Sequence, residues 1–204
     1  ITVPAEQLRR FWLMITHYHG QTWNASEIAG SLSVNYKTAQ RYLDILTGAF
    51  MIRQLPSWTE NLGKRVRKAP KIYLRDSGLL HALQNVRSLP ELQAHPKLGA
   101  SWDGLGLEHV LRVLSVEPGE AFYWSTHGGA ELDLMLVRGG RRWGFEFKYV
   151  DAPRTTKSMR VVLDDLKLQR LFVIYPGEKD YALDDQIEVL ALPRVEQLAE
   201  ALPT

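Results

Sequence analysis

Residues Glu131–Val137 and Arg142–Val150 flank the pair Gly139-Gly140, and that combination leaves few alternatives to a β-hairpin turning on the two glycines. The implied register sets Leu136 opposite Trp143, Leu134 opposite Phe145 and Leu132 opposite Phe147, six apolar residues that predict one core-facing side. The other side then carries Asp133 opposite Glu146 and Glu131 opposite Lys148. Facing side chains on neighbouring strands have Cβ atoms only about 5 Å apart, and like charges there destabilise the pair. A cation between the two carboxylates would relieve that cost. A divalent metal is the natural candidate, with Lys148, two residues beyond Glu146 and so on the same side, as a second positive partner.

Composition narrows the setting of that hairpin. A 204-residue chain holds one large domain or two small ones, and 45% hydrophobic residues with six Trp, eight Tyr and six Phe suffice for a packed core. Cysteine is absent, which removes disulfides and thiolate zinc sites and fits a reducing, cytoplasmic location. No apolar run reaches the roughly 20 residues that span a bilayer, and no signal peptide is read at the start, so no membrane partner is expected. The chain opens at Ile1 rather than Met, which leaves room for it to be a fragment. Net charge is only +2, but its distribution is uneven: Lys64, Arg65, Arg67, Lys68, Lys71 and Arg75 fall together with no acid among them.

The order of elements divides the chain into an expected N-terminal part, 1–75, and a C-terminal part, 76–204. Leu8, Phe11, Trp12 and Ile15 share one helical face, with Gly20 as a stop. Asn24-Ala25-Ser26-Glu27 has the form of an N-cap opening a short helix through Ile28, Ala29 and Leu32. After the break Ser33-Val34-Asn35, a longer helix is expected from Tyr36 to about Ala49, with Ala39, Tyr42, Leu43 and Leu46 inward. Two helices joined by a tight turn form a helix-turn-helix pattern. Strands at Met51–Leu55 and Lys71–Leu74, separated by the basic loop, complete a winged helix. Beyond it the pattern predicts a helix at Ser77–Leu83, a Pro/Gly-punctuated linker from Ser88 to Gly106, and a helix at Leu107–Leu114. A strand at Ala121–Ser125, the hairpin, a helix at Thr156–Lys167, strands at Leu171–Tyr175 and Ile187–Leu192, and a closing helix at Val195–Leu202 follow.

On the second helix of the pair, Tyr36, Lys37, Gln40 and Arg41 are the outward residues, of types that suit phosphate and base-edge contacts in a major groove. Lys64, Arg65, Arg67 and Lys68 in the wing would neutralise further phosphates, so DNA is the expected partner. The competing reading is a winged helix used for packing or protein contact, with a solvated basic loop. The six histidines are scattered without an i, i+4 pair of zinc type, and no Walker-type glycine loop is present, so no nucleotide is expected by that route.

The spacing Asp133 … Glu146-x-Lys148, behind a helix bearing Glu108, resembles the PD-(D/E)XK nuclease core. That resemblance implies Mg²⁺ or Mn²⁺ held by Asp133, Glu146 and Glu108, with Lys148 completing the catalytic set. The alternatives are a salt-bridged surface hairpin and a degenerate nuclease fold that keeps the geometry without the chemistry. A longer series extends the likeness: Tyr73-Leu74-Arg75-Asp76-Ser77-Gly78-Leu79, Gly104-Leu105-Gly106-Leu107-Glu108-His109-Val110, Tyr123-Trp124, Gly129-Ala130-Glu131-Leu132-Asp133 and Phe145-Glu146-Phe147-Lys148. It is similar to the C-terminal domain of unknown function found behind the ATPase module of predicted bacterial and archaeal AAA-type ATPases. The resemblance implies an α+β chain, a winged helix-turn-helix followed by a restriction-endonuclease-like mixed sheet flanked by helices, with an AAA-type ATPase module in cis as partner. It leaves two functions open, a DNA-associated module with a metal-dependent nuclease site or a non-catalytic protein-interaction domain.

Overall fold

The computed structural model describes residues 4–60 and 68–202, and they form a mixed α+β structure, helices first and a mixed sheet after. The chain divides into two compact units, 1–55 with 68–104, and 56–67 with 105–204. This differs from the expected split after residue 75. Helix α4 (Ser77–Leu83) sends Leu80 and Leu83 into the core of the first unit, so burial rather than the wing's last strand sets the boundary.

In the first unit, helix α1 (Ala5–Ile15) buries Phe11 and Ile15, the stripe that its apolar spacing predicts. Helix α2 (Ala25–Leu32) starts where Asn24 Oδ1 accepts from the amides of Ser26 and Glu27 at 3.2 and 3.4 Å. It ends at Ser33, whose φ of 55° is a left-handed cap. Helix α3 (Tyr36–Gly48) is capped by Asn35, which accepts from Thr38 N at 2.8 Å, and turns Ala39, Tyr42, Leu43 and Leu46 inward. Edge-to-face contacts of Phe11 with Tyr42 (5.6 Å) and Trp23 (6.2 Å) tie α1 and α3 together. A three-stranded sheet runs β1 (Gln21–Thr22), β3 (Lys71–Leu74), β2 (Ile52–Leu55), with β2 and β3 antiparallel from Ile52↔Leu74 to Leu55↔Lys71. Replacing Asn24 by Ala orphans two first-turn amides and is expected to cost about 1 kcal/mol. Chemical denaturation of the purified chain, followed by circular dichroism, measures that loss.

The stretch expected to be a linker is largely helical. Helix α5 (Leu89–Gln93) opens with Pro90 in its first turn, where a missing N–H costs nothing, and helix α6 spans Leu98–Val113. Two of the α6 glycines, Gly104 and Gly106, are packing residues rather than breakers. A Cβ on Gly104 would fall on the His19 ring, and one on Gly106 on the Phe147 ring. Among the described residues no helix is long and apolar enough to cross a membrane.

The second unit is built on a six-stranded sheet: β4 (Ala121–Ser125), β5 (Glu131–Arg138), β6 (Arg141–Phe147), β7 (Arg170–Tyr175), β9 (Ile187–Ala191) and β8 (Tyr181–Asp184), in that spatial order. The first three are antiparallel, β6, β7 and β9 are parallel, and β8 closes the far edge antiparallel. Between β6 and β7 the chain crosses over through helix α7 (Lys157–Leu166), capped by Thr156 and stopped by Lys167 at a φ of 52°. Its Met159, Val162 and Leu166 pack on one side of the sheet with Leu132, Met135, Leu171, Val173 and Val189. Strand β8 escaped the sequence reading because Tyr181–Asp184 is short and half exposed, with only one-sided apolar character. The closing segment is a 3-10 turn, Leu192–Gln197, running into a short helix α8, Leu198–Ala201, where one continuous helix was expected.

Candidate functional site

The β5–β6 hairpin turns on Gly139 and Gly140, both at positive φ (55° and 72°), the conformation that a two-residue type I′ turn requires. Pairs Arg138↔Arg141, Leu136↔Trp143 and Leu134↔Phe145 follow the register expected from the sequence. Beyond Leu134↔Phe145 the ladder stops, and the expected Leu132–Phe147 partnership is not made. A β-bulge explains why. Strand β4 pairs Phe122 with Met135 but Trp124 with Leu132, so Asp133 and Leu134 together face the single residue Tyr123. The extra residue reverses the alternation and brings Leu132 onto the α7 side with Met135. Asp133 is freed from the ladder. Its Oδ2 accepts the amide of Phe147 at 3.1 Å, replacing the lost backbone bond.

Strand β6 alternates Gly144 and Glu146 on the α7 side with Phe145 and Phe147 on the other. A Cβ on Gly144 would meet Leu168, Leu171 and Leu132, which places this side of β6 under the α7 core. Glu146 is therefore buried, 5% exposed, at the end of a hydrophobic strand. Its carboxyl hydrogen-bonds the Asp133 carboxyl, and Lys148 Nζ lies 2.8 Å from Glu146 Oε2. Burial first, and then the Asp133 charge, push the Glu146 carboxyl up to about 8, against the opposing pull of Lys148. Near neutrality burial therefore favours the protonated form of the Glu146 carboxyl. Asp133, Glu146 and Lys148 thus come together. Glu108 sits half-buried on α6, and among the described residues no three His, Asp or Glu side chains gather into a metal-holding cluster. Glu108 does not complete a three-carboxylate set with Asp133 and Glu146.

On α3, Tyr36, Lys37 and Arg41 are exposed, Tyr36 to 57%. Gln40 is held by partners within its own unit. Its Oε1 accepts from the indole of Trp23 at 2.8 Å and its Nε2 donates to Asp44 Oδ1 at 2.9 Å, so the amide braces α3 against the residue preceding α2's cap. Gln40→Ala leaves the Trp23 indole without its acceptor and is expected to cost roughly 1–3 kcal/mol in a urea titration, with the salt dependence of any duplex binding unchanged. Lys64, Arg65 and Arg67 lie outside the described residues, and Lys68 is half-buried.

The loop expected to be a wing has a second role that the sequence reading missed. After Leu55 the chain joins the second unit: Ser57 bridges Tyr123 in parallel, Trp58 N donates to Tyr123 O at 2.7 Å, and Tyr123 N donates to Pro56 O at 2.9 Å. Residues 56–58 thereby cover the outer edge of β4. Trp58 packs edge-to-face on Phe122 at 5.0 Å beneath the Arg142 guanidinium, which in turn donates to Glu60 at 2.7 Å. A large aromatic at the start of a basic loop was the available signal.

The comparisons with known proteins match two stretches of the chain with families of undefined role. Residues 2–89 match a domain of unknown function (DUF8612), and residues 98–195 match another (DUF4143). Uncharacterized proteins of Mycobacterium tuberculosis and Mycobacterium bovis are each 47% identical over 193 residues, 95% of this chain and 43% of theirs. The chain therefore spans less than half the length of the curated relatives it matches. The crystal structure of protein VC1899 from Vibrio cholerae aligns with 98% of this chain and 56% of its own at 12% identity and a TM-score of 0.33, too distant to assign a shared fold.

Proposed function

We propose that this chain is a DNA-associated module, in cis with an AAA-type ATPase, in which a winged helix binds duplex DNA and a PD-(D/E)XK-like unit hydrolyses a phosphodiester with Mg²⁺ or Mn²⁺. The observation that carries it is the buried Glu146 carboxyl, hydrogen-bonded to Asp133 and paired with Lys148 at 2.8 Å. A buried carboxyl beside a second one at the end of a hydrophobic strand costs stability, and perturbed groups of this kind concentrate at functional sites. The donor set suits a hard divalent cation, which prefers carboxylate oxygens and completes its shell with water and phosphate. Asp133 and Glu146 would hold it, and in the bound form it would lower the pKa of a water and stabilise charge on the scissile phosphate. Lys148 then pairs with the phosphate or orients the water from the same side. Asp133 is held for this role by the Phe147 amide.

One observation favours the second reading, a non-catalytic interaction domain: Glu108 does not join the carboxylate pair. Cleavage assays on duplex, single-stranded and branched DNA, with Mg²⁺, Mn²⁺ and chelator, separate the two. Metal-dependent, chelator-sensitive cleavage supports the nuclease reading. Its absence on all three substrates, with no metal-induced rise in melting temperature, leaves the interaction domain.

A further inference from the structure

Phe147 stands between the two members of the carboxyl pair in a way that gives a glycine on another element control over both. Its backbone N–H is the group that holds Asp133 Oδ2, and its immediate neighbours in the chain are Glu146 and Lys148. Its ring, 2% exposed, points to the opposite side of β6 from Glu146, where it lies against the backbone of α6 at Gly106. A Cβ built on Gly106 would overlap Cδ1 and Cε1 of that ring and would come within 3.2 Å of its Cγ. The obstruction is the rigid ring of a buried aromatic side chain, which has no flexible tip to swing aside. Either the helix or the end of β6 has to shift.

The end of β6 is the softer of the two. The β5–β6 ladder has already stopped at Leu134↔Phe145, and on that flank Phe147 is joined to β5 through the Asp133 carboxylate. On the other flank β7 still pairs with Phe147 through Ile174, so displacement would be resisted from one side and passed on to the other. We infer that Gly106 is a positioning residue: its missing side chain lets α6 seat the Phe147 ring, and that seat fixes the Phe147 amide under Asp133 and Glu146 beside it. The inference rests on the carboxyl-pair site proposed above and adds to it the element that sets its geometry. It also gives α6 a part in the site that does not depend on Glu108 reaching the pair.

The test uses the full chain and three variants, Gly106→Ala, Phe147→Leu and the double change. Two quantities are read: amide hydrogen exchange at residue 147 relative to Val173 on β7, and Mn²⁺ affinity by titration calorimetry. Gly106→Ala is expected to lower protection at residue 147 about tenfold more than at Val173, the size of one lost hydrogen bond, and to weaken Mn²⁺ binding. Phe147→Leu, which shortens the ring without filling the gap, loses part of the protection. The double variant, with a methyl in the vacated space, recovers it together with Mn²⁺ affinity. Equal loss at residue 147 and Val173 would mean that Gly106 merely stabilises the unit, and would overturn the inference. So would a double variant no better protected than Phe147→Leu, a comparison that stands even if Gly106→Ala fails to fold. Wild-type chain that binds no Mn²⁺ but shows the full exchange pattern would remove the metal reading and leave the positioning role intact.

Discussion

Glu146→Gln should abolish the response to Mg²⁺ and Mn²⁺ and raise the melting temperature of the metal-free chain at alkaline pH. The two effects have one origin. In the folded chain the Glu146 carboxyl is raised to about 8 by burial and by Asp133, whereas in the unfolded chain it titrates near the ordinary value of 4.5. Between those values the folded state binds the extra proton, so stability falls as pH rises from about 4.5 to about 8 and levels off beyond. A pH unit in that window is worth at most about 1.4 kcal/mol, so the melting temperature should fall by several degrees across it. Glutamine retains the shape and cannot ionise, so its melting curve should lose this contribution to the pH dependence, and above pH 8 it should be the more stable protein. A bound divalent ion reverses the ranking in the wild type only, because stabilisation by a ligand requires a site in the folded state. Calorimetric melts from about pH 5 to about pH 9, with and without metal in large excess over the protein, read both effects. A wild-type melting temperature that does not fall across this range would contradict the buried, raised Glu146 carboxyl. A metal-induced rise retained in Glu146→Gln would place the ion elsewhere.

The parts of this fold that the sequence made legible are those in which a local rule and burial agree. Gly139-Gly140 between alternating strands set both the turn and the register of five pairs, and asparagines at 24 and 35 marked helix starts that the hydrogen bonds bear out. The misreadings occur where a residue serves a distant contact. Gly104 and Gly106 look like punctuation in sequence, but both lie inside α6, where a Cβ would fall on the His19 and Phe147 rings. Leu132 fits a simple alternation until the bulge opposite Tyr123 turns it to the other side, a shift that no pattern within β5 encodes. That same bulge frees Asp133 from the ladder. The candidate site was found from a repeat of two, and its geometry comes from a break in that repeat. Gln40 is a related case, since its solvent-side position on α3 does not reveal that its carbonyl accepts from the Trp23 indole.

Replacing Lys37 and Arg41 together by Ala should lower the slope of log affinity against log salt by about two, because each cation that meets a phosphate releases close to one counterion. Both side chains are exposed on one stretch of α3, one turn apart, and neither takes part in the first unit's core. The double change should therefore leave the melting temperature within about a degree of wild type, since surface substitutions of this kind stay within about 0.5 kcal/mol. Tyr36 lies beside them and is the most exposed aromatic on the helix, so Tyr36→Ala should weaken binding with no change in salt slope, a contact made without charge. The comparison with Gln40→Ala then separates the two possible uses of α3. If α3 enters a groove, Lys37 and Arg41 alter the slope while Gln40 alters stability. If the helix pair serves to pack against protein instead, the double variant binds duplex DNA with the wild-type slope, or the wild type shows no slope to lose. Fluorescence anisotropy on a labelled duplex, from about 50 to about 200 mM salt, covers the range over which several phosphate contacts change affinity by orders of magnitude.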